Sequence, residues 1–131
     1  TRLGLQTVDV STAPVAEAGY EPDVLLECSG IAGPTADAIG VMARAGRVVL
    51  IGMGGDLLPL PLSVIQEREL WITGAFRYAN TWPAAIGLVT AGSVDLDALV
   101  TGHYGLAQVE QALTAGRRDP TTVKAIVRPG E

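Results

Sequence analysis

Three short runs of aliphatic and β-branched residues, each closed by glycine, constrain this chain more than any other feature. Asp23-Val24-Leu25-Leu26-Glu27 leads into Cys28-Ser29-Gly30, and Arg47-Val48-Val49-Leu50-Ile51 into Gly52-Met53-Gly54-Gly55. Leu70-Trp71-Ile72-Thr73 ends at Gly74. Apolar runs without polar alternation read as strands of a parallel sheet covered on both faces. The segments between them have the length and pattern of crossovers. Thr35, Ile39, Met42 and Ala43 share one helical face, and Gly46 stops that helix. Leu57 to Leu62 carries Pro59 and Pro61, so it runs extended outside any inner ladder, before a helical turn around Val64-Ile65-Gln66-Glu67.

The flanks are patterned less strongly. Thr1-Arg2-Leu3-Gly4 reads as the tail of a helix, which suggests that more chain precedes it, and Thr7 to Val10 reads as a short strand. Ser11, Thr12, Pro14 and Gly19 make the next stretch a loop or weak helix. Thr81 caps a helix with Pro83 in its first turn and with Trp82, Ala85, Ile86 and Val89 on one face, and Gly92 ends it. Leu99 and Val100 are extended, Val109, Ala112 and Leu113 mark a last helix ending at Gly116, and Val123 to Val127 form a final strand. The fold class is α/β: most of an open, doubly wound parallel sheet with its first βα unit missing.

Composition narrows the function. With 131 residues there is room for one domain of ordinary size. Hydrophobic residues make up 48% and charged residues 18%, which excludes a disordered chain. A net charge of −5 argues against nucleic-acid binding. No apolar run reaches the roughly 18 residues of a membrane span, and nothing in the residues given reads as a leader. One cysteine excludes an internal disulfide and an all-cysteine zinc site. The expectation is a soluble, cytoplasmic protein.

In open α/β sheets ligands bind beyond the carboxyl ends of the strands, where glycine lets backbone approach a ligand closely. Cys28-Ser29-Gly30, Gly52-Met53-Gly54-Gly55 and Gly74 with Ala75-Phe76-Arg77-Tyr78 occupy those ends. Gly52-Met53-Gly54-Gly55 is not the dinucleotide fingerprint: Leu57 stands where its third glycine would fall, and prolines follow in place of a helix. Cys28 reads as a small buried thiol. His103 reads as a surface or packing residue, Arg117-Arg118-Asp119 as a solvated turn, and Glu67-Arg68-Glu69 as a polar connection. Arg77 and Tyr78 stand apart, directly beyond a strand-ending glycine in a stretch holding four of the six aromatic residues, Trp71, Phe76, Tyr78 and Trp82.

The stretches Asp23 to Gly30, Gly46 to Gly52 and Gly74-Ala75-Phe76-Arg77-Tyr78-Ala79-Asn80-Thr81-Trp82-Pro83 resemble the zinc-containing medium-chain dehydrogenases/reductases. The last of these is similar to the sorbitol (polyol) branch in particular. Leu99-Val100-Thr101-Gly102-His103-Tyr104 resembles that branch's Leu-Val-Thr-His segment with Gly102 as an extra residue. The resemblance covers nearly the whole chain. It implies that residues 1–93 are the later part of an NAD-binding Rossmann domain and that residues 94–131 pack on a catalytic domain lying outside this chain.

It further implies zinc held by ligands outside these residues, NAD as cofactor with NADP still open, and a small polyol or alcohol as substrate. A homo-oligomer is also compatible with the family. Arg77 and Tyr78 match substrate-binding positions, whereas Ile51, Gly52, Met53, Ala75 and Phe76 match positions around the nicotinamide. Cys28, Ser29 and Gly30 match a cofactor-side stretch. The implied reaction is hydride transfer from a secondary alcohol, and the 131-residue chain by itself is expected to be inactive. Other zinc-dependent branches (threonine, butanediol or other alcohol dehydrogenases) and a non-catalytic nucleotide-binding α/β module remain open as alternatives.

Overall fold

The computed structural model describes residues 4–130. Thr1 to Leu3, where the helix tail was expected, lie outside the described residues. The chain divides into two compact units, Thr1–Ala79 and Asn80–Glu131.

The first unit is built on three parallel strands, β1 (Val24–Glu27), β2 (Arg47–Leu50) and β3 (Trp71–Gly74), in spatial order β1-β2-β3. Helices α1 (Ala32–Gly40) and α2 (Leu62–Glu67) form the two crossovers. Both crossovers step in the same direction along the sheet, so their common right-handed sense puts both helices on one face. The core is on that face. Ile39, Met42 and Val48 are fully buried, with Leu25, Leu50, Ile65, Leu70 and Ile72 packed around them.

The opposite face is open, contrary to the expectation of a sheet covered on both sides. Val24, Leu26 and Trp71 are 57%, 61% and 74% exposed. Cys28, the next even position after Leu26, is exposed with them rather than buried. Its thiol was read as core because the strand is apolar on both faces, but only one face has a helix over it.

Local differences have local causes. Residues 7–10 form no strand, and a short 3-10 helix (Val15–Ala18) follows them. Helix α1 stops at Gly40, well before Gly46, because Met42 reaches the core from the turn beyond the helix. Arg68 is not a solvated connection: it is half-buried and donates to the Met42 carbonyl, while Arg44 donates to the Glu67 carbonyl at 3.2 Å. Each guanidinium thus satisfies a carbonyl at or just beyond the C-terminal end of the other's helix, which is where cations are favoured.

The second unit contains α3 (Trp82–Thr90), β4 (Val100–Gly105), α4 (Val109–Arg118) and β5 (Lys124–Arg128). Thr81 does stand before α3 with Pro83 following, but its hydroxyl makes no capping bond. Strand β5 pairs in parallel with β4, and α4 is the crossover that buries Ala112 and Ala115. Arg117 and Arg118 form the last turn of α4 rather than a turn after it.

The extra residue of the 99–104 segment is absorbed as a bulge. Val100 faces Lys124 and Gly102 faces Ala125, which leaves Thr101 between them. The Thr101 hydroxyl accepts from the Val123 and Lys124 N–H groups at 3.1 and 3.2 Å. His103 is exposed opposite Ile126.

Ile39 is the side chain whose loss the first unit should feel most. Ile39→Ala should lower unfolding stability by about 2–5 kcal/mol, because the cavity left at the centre of a small core collapses poorly. Urea denaturation followed by circular dichroism checks this.

Candidate functional site

Register sets the site. Glu27 pairs with Leu50, and Leu50 with Gly74, so the three strands end level at one edge. Beyond that edge the ladder continues for one further row: Ile51 and Gly52 N–H both donate to the Glu27 carbonyl at 2.8 Å, and Ala75 N–H to the Leu50 carbonyl at 2.9 Å. The sequence-derived candidates Cys28-Ser29-Gly30, Ile51-Gly52-Met53 and Ala75-Phe76-Arg77-Tyr78 therefore leave the sheet side by side.

The first two of these segments are in backbone contact. Gly30 has φ +67°, and a Cβ there would lie 2.6 Å from the Met53 carbonyl carbon. A Cβ on Gly52 would collide with the Gly30 nitrogen, and one on Gly54 with the Gly30 oxygen. No other residue fits these three positions without moving backbone. Beside them a cavity of about 380 Å³ is lined by Glu27, Gly30, Thr35, Leu50, Gly52 and Gly54. Met53 is 80% exposed at its rim side and Ile51 41%.

Glu27, which also lines this cavity, is the residue of the edge that sequence reasoning missed. It is a buried carboxylate at the end of an apolar strand. One oxygen accepts from Ser29 N–H at 2.7 Å, from the Ser29 hydroxyl, and from Gly30 N–H at 2.9 Å. The other accepts from Gly30 N–H at 3.1 Å. The Ser29 hydroxyl in turn accepts from Ile31 N–H at 3.1 Å. The Ser29 hydroxyl is the main cause that holds the Glu27 carboxyl below the usual carboxylate range; burial opposes it, and the N–H groups of Gly30 and Ser29 and the Thr35 hydroxyl add to it. The signal in the sequence was an acid inside an apolar run, since a buried charge requires such partners.

The third segment differs. Arg77 and Tyr78 are exposed and hold left-handed backbone, with φ +52° and +59°. The Arg77 guanidinium lies over the Phe76 ring, 4.9 Å from its centre. Neither Arg77 nor Tyr78 lines the cavity beside Gly30. Consecutive non-glycine residues in this region are strained by an amount on the order of 1–3 kcal/mol each, and such strain gathers at ligand sites. Among the described residues no three His, Cys, Asp or Glu side chains come together as a metal site. No helix among them is long and apolar enough to cross a membrane.

The fold and the site define a parallel α/β half-sheet with a glycine-lined carboxyl edge. Comparison with known proteins places it further. Residues 5–91 match the family described as zinc-binding dehydrogenase, and the chain belongs to that family. It is 33% identical over 110 residues to sorbitol dehydrogenase of Arabidopsis thaliana, covering 82% of this chain and 30% of that protein. It is 38% identical over 106 residues to L-arabinitol 4-dehydrogenase of Aureobasidium melanogenum, covering 79% and 28%.

Among solved structures, a zinc-binding dehydrogenase of Sinorhizobium meliloti bound to NADP superposes with TM-score 0.80 at 25% identity, over 94% of this chain and 39% of that one. The 2R,3R-butanediol dehydrogenase of Bacillus subtilis gives 0.76 at 25% identity, over 95% and 36%. The chain thus spans between 28% and 39% of the length of these proteins. Their likeness bears out both the α/β fold class and the resemblance to the polyol branch.

Because its folded-state acidity is raised, Glu27 contributes stability above the ordinary carboxylate range and loses it as pH falls through the lowered value. Glu27→Gln should therefore be less stable than the parent at neutral pH and should show a shallower loss on acidification. Thermal melts from neutral pH into the acid range check both.

Proposed function

We propose that this chain is the cofactor-side portion of an NAD-dependent zinc polyol dehydrogenase, which oxidises a secondary alcohol of a sorbitol-like substrate to a ketone. The observation that carries the reading is the level carboxyl edge where Gly30, Gly52 and Gly54 meet backbone to backbone, next to Phe76, Arg77 and Tyr78. The curated relatives that are sorbitol and arabinitol dehydrogenases support the substrate class.

The edge fits the nicotinamide end of a dinucleotide. Gly52 and Gly54 are packed against the Gly30 backbone, and between them the exposed Ile51 and Met53 offer a flat ring apolar contact. When bound, the nicotinamide supplies the hydride acceptor. Ala75 and Phe76 bound the ring from the neighbouring strand end. Arg77 donates to substrate hydroxyls, and Tyr78 can donate to or accept from them. Cys28, Ser29 and Gly30 form the far wall. Zinc would be held by residues outside this chain, and the protein carrying this segment would act on small molecules.

Two outcomes test the reading. Calorimetry of the 131-residue chain with NAD should show no micromolar affinity, because its residues include no Gly-x-Gly-x-x-Gly turn of the kind that holds a pyrophosphate; micromolar binding would overturn this division of labour. In the gene product that includes whatever precedes Thr1, polyol-dependent reduction of NAD should be measurable. There Arg77→Ala should lower kcat/KM for the polyol by about 1–3 kcal/mol, with the melting temperature nearly unchanged, as for other surface changes of about 0.5 kcal/mol or less. A collapsed melt with normal turnover of the folded fraction would make Arg77 structural.

A further inference from the structure

We infer that Glu27 is a positioning residue: its carboxylate fixes the 28–30 turn as the support against which the cofactor-facing 51–54 segment is packed. The inference rests on the proposed reading of that edge as the nicotinamide side, and it adds a residue which touches neither cofactor nor substrate.

The mechanical chain is short. The Glu27 side chain accepts from the N–H groups of Ser29 and Gly30 and from the Ser29 hydroxyl, so both peptide planes of the turn are anchored to one buried group. The Ser29 hydroxyl passes the restraint on to Ile31, the residue that opens α1. Gly30, held at φ +67°, then presents its nitrogen and oxygen to Gly52 and Gly54, and its Cα hydrogen side to the Met53 carbonyl. The Glu27 carbonyl meanwhile accepts from Ile51 and Gly52 N–H. One residue therefore fastens both sides of the cleft beside the 380 Å³ cavity, through its side chain on one and its backbone on the other.

Two features separate this role from ordinary stabilisation. The Glu27 side chain is not a member of the packed centre formed by Ile39, Met42 and Val48. Its partners lie wholly within the turn and the start of α1, so its loss frees a local segment rather than a core contact. The three glycines have no side chains that could take up slack, which means a displaced Gly30 moves the 52–54 backbone directly.

Amide hydrogen exchange by NMR on the 131-residue chain tests this, using Glu27→Gln and, should that variant unfold, Ser29→Ala, with Ile39→Val as a control that weakens the core. The expected result is that Gly52 N–H, whose own acceptor is the unaltered Glu27 carbonyl, gains roughly tenfold more in exchange rate than Val48 and Val49 do in Glu27→Gln or Ser29→Ala. In Ile39→Val the strand amides and Gly52 should change together. An unchanged Gly52 rate, or equal loss at Gly52 and Val48 in the Glu27 variant, overturns the inference.

Titration with millimolar NAD separates this from the reading beneath it. Parent shifts at Gly30, Gly52 and Met53 that fade in Glu27→Gln support both. Parent shifts that persist undiminished in Glu27→Gln overturn the positioning role alone. The absence of any parent shift at that edge overturns the cofactor reading and, with it, the cofactor part of this inference.

Discussion

The parallel ladder that sets Glu27, Leu50 and Gly74 level is the constraint from which the rest of the first unit follows. Parallel strands cannot be joined by a tight turn, so each needs a crossover, and crossovers stepping the same way put their helices on the same face. That yields a core with a single sided layer: Ile39 from α1, Ile65 from α2, and Leu25, Val48, Leu50 and Ile72 from the sheet. It also leaves Val24, Leu26 and Trp71 uncovered on the other side. One register thus determines where the core is, which face is bare, and which three loops leave the sheet together.

The two edges of the sheet are built from the same kinds of loop but carry different chemistry. At the amino edge, Ala45 and Glu69 adopt left-handed backbone, with φ +57° and +53°, to turn from each helix into the next strand. Arg44 and Arg68 are there tied to carbonyls, so their strain and charge serve the fold. At the carboxyl edge, Arg77 and Tyr78 adopt the same backbone in the turn that follows β3, and the Arg77 guanidinium lies on an exposed ring. Left-handed geometry alone is therefore no mark of a site. What distinguishes the carboxyl edge is strain and exposed side chains beside closely packed glycine backbone.

Much of this was legible in the residues. The strands were found because continuous aliphatic runs bounded by glycine have few other solutions, and their shared carboxyl edge follows from the parallel class. What escaped depended on which face a neighbour covers. Cys28 was assigned to a core that the bare face does not have, and Met42 was read as helical because it does pack beside Ile39, though from the turn after α1. Arg68 was read as solvated because a charged tripeptide gives no hint that one member turns inward. Glu27 was passed over because alternation says where a side chain points but not what lies there. The partnership of β5 with β4 was missed since the pattern of a lone apolar run does not name its neighbour.

The internal anion at the β1–α1 turn bears on the cofactor edge proposed above, because it limits which ligands that turn can accept. A phosphate site at such a turn needs unsatisfied N–H groups at the opening of the helix. Here Ser29 and Gly30 donate theirs to the Glu27 carboxylate and Ile31 donates its own to the Ser29 hydroxyl. A carboxylate carried by the strand itself thus occupies the place an external phosphate would take, and its negative charge repels a second anion. The turn is closed to pyrophosphate and rigid because it is closed. On the proposed reading, a neutral or cationic ring laid beside this turn meets no such repulsion. The grip on the phosphates then has to come from a turn whose N–H groups are not already taken by an acid of its own strand.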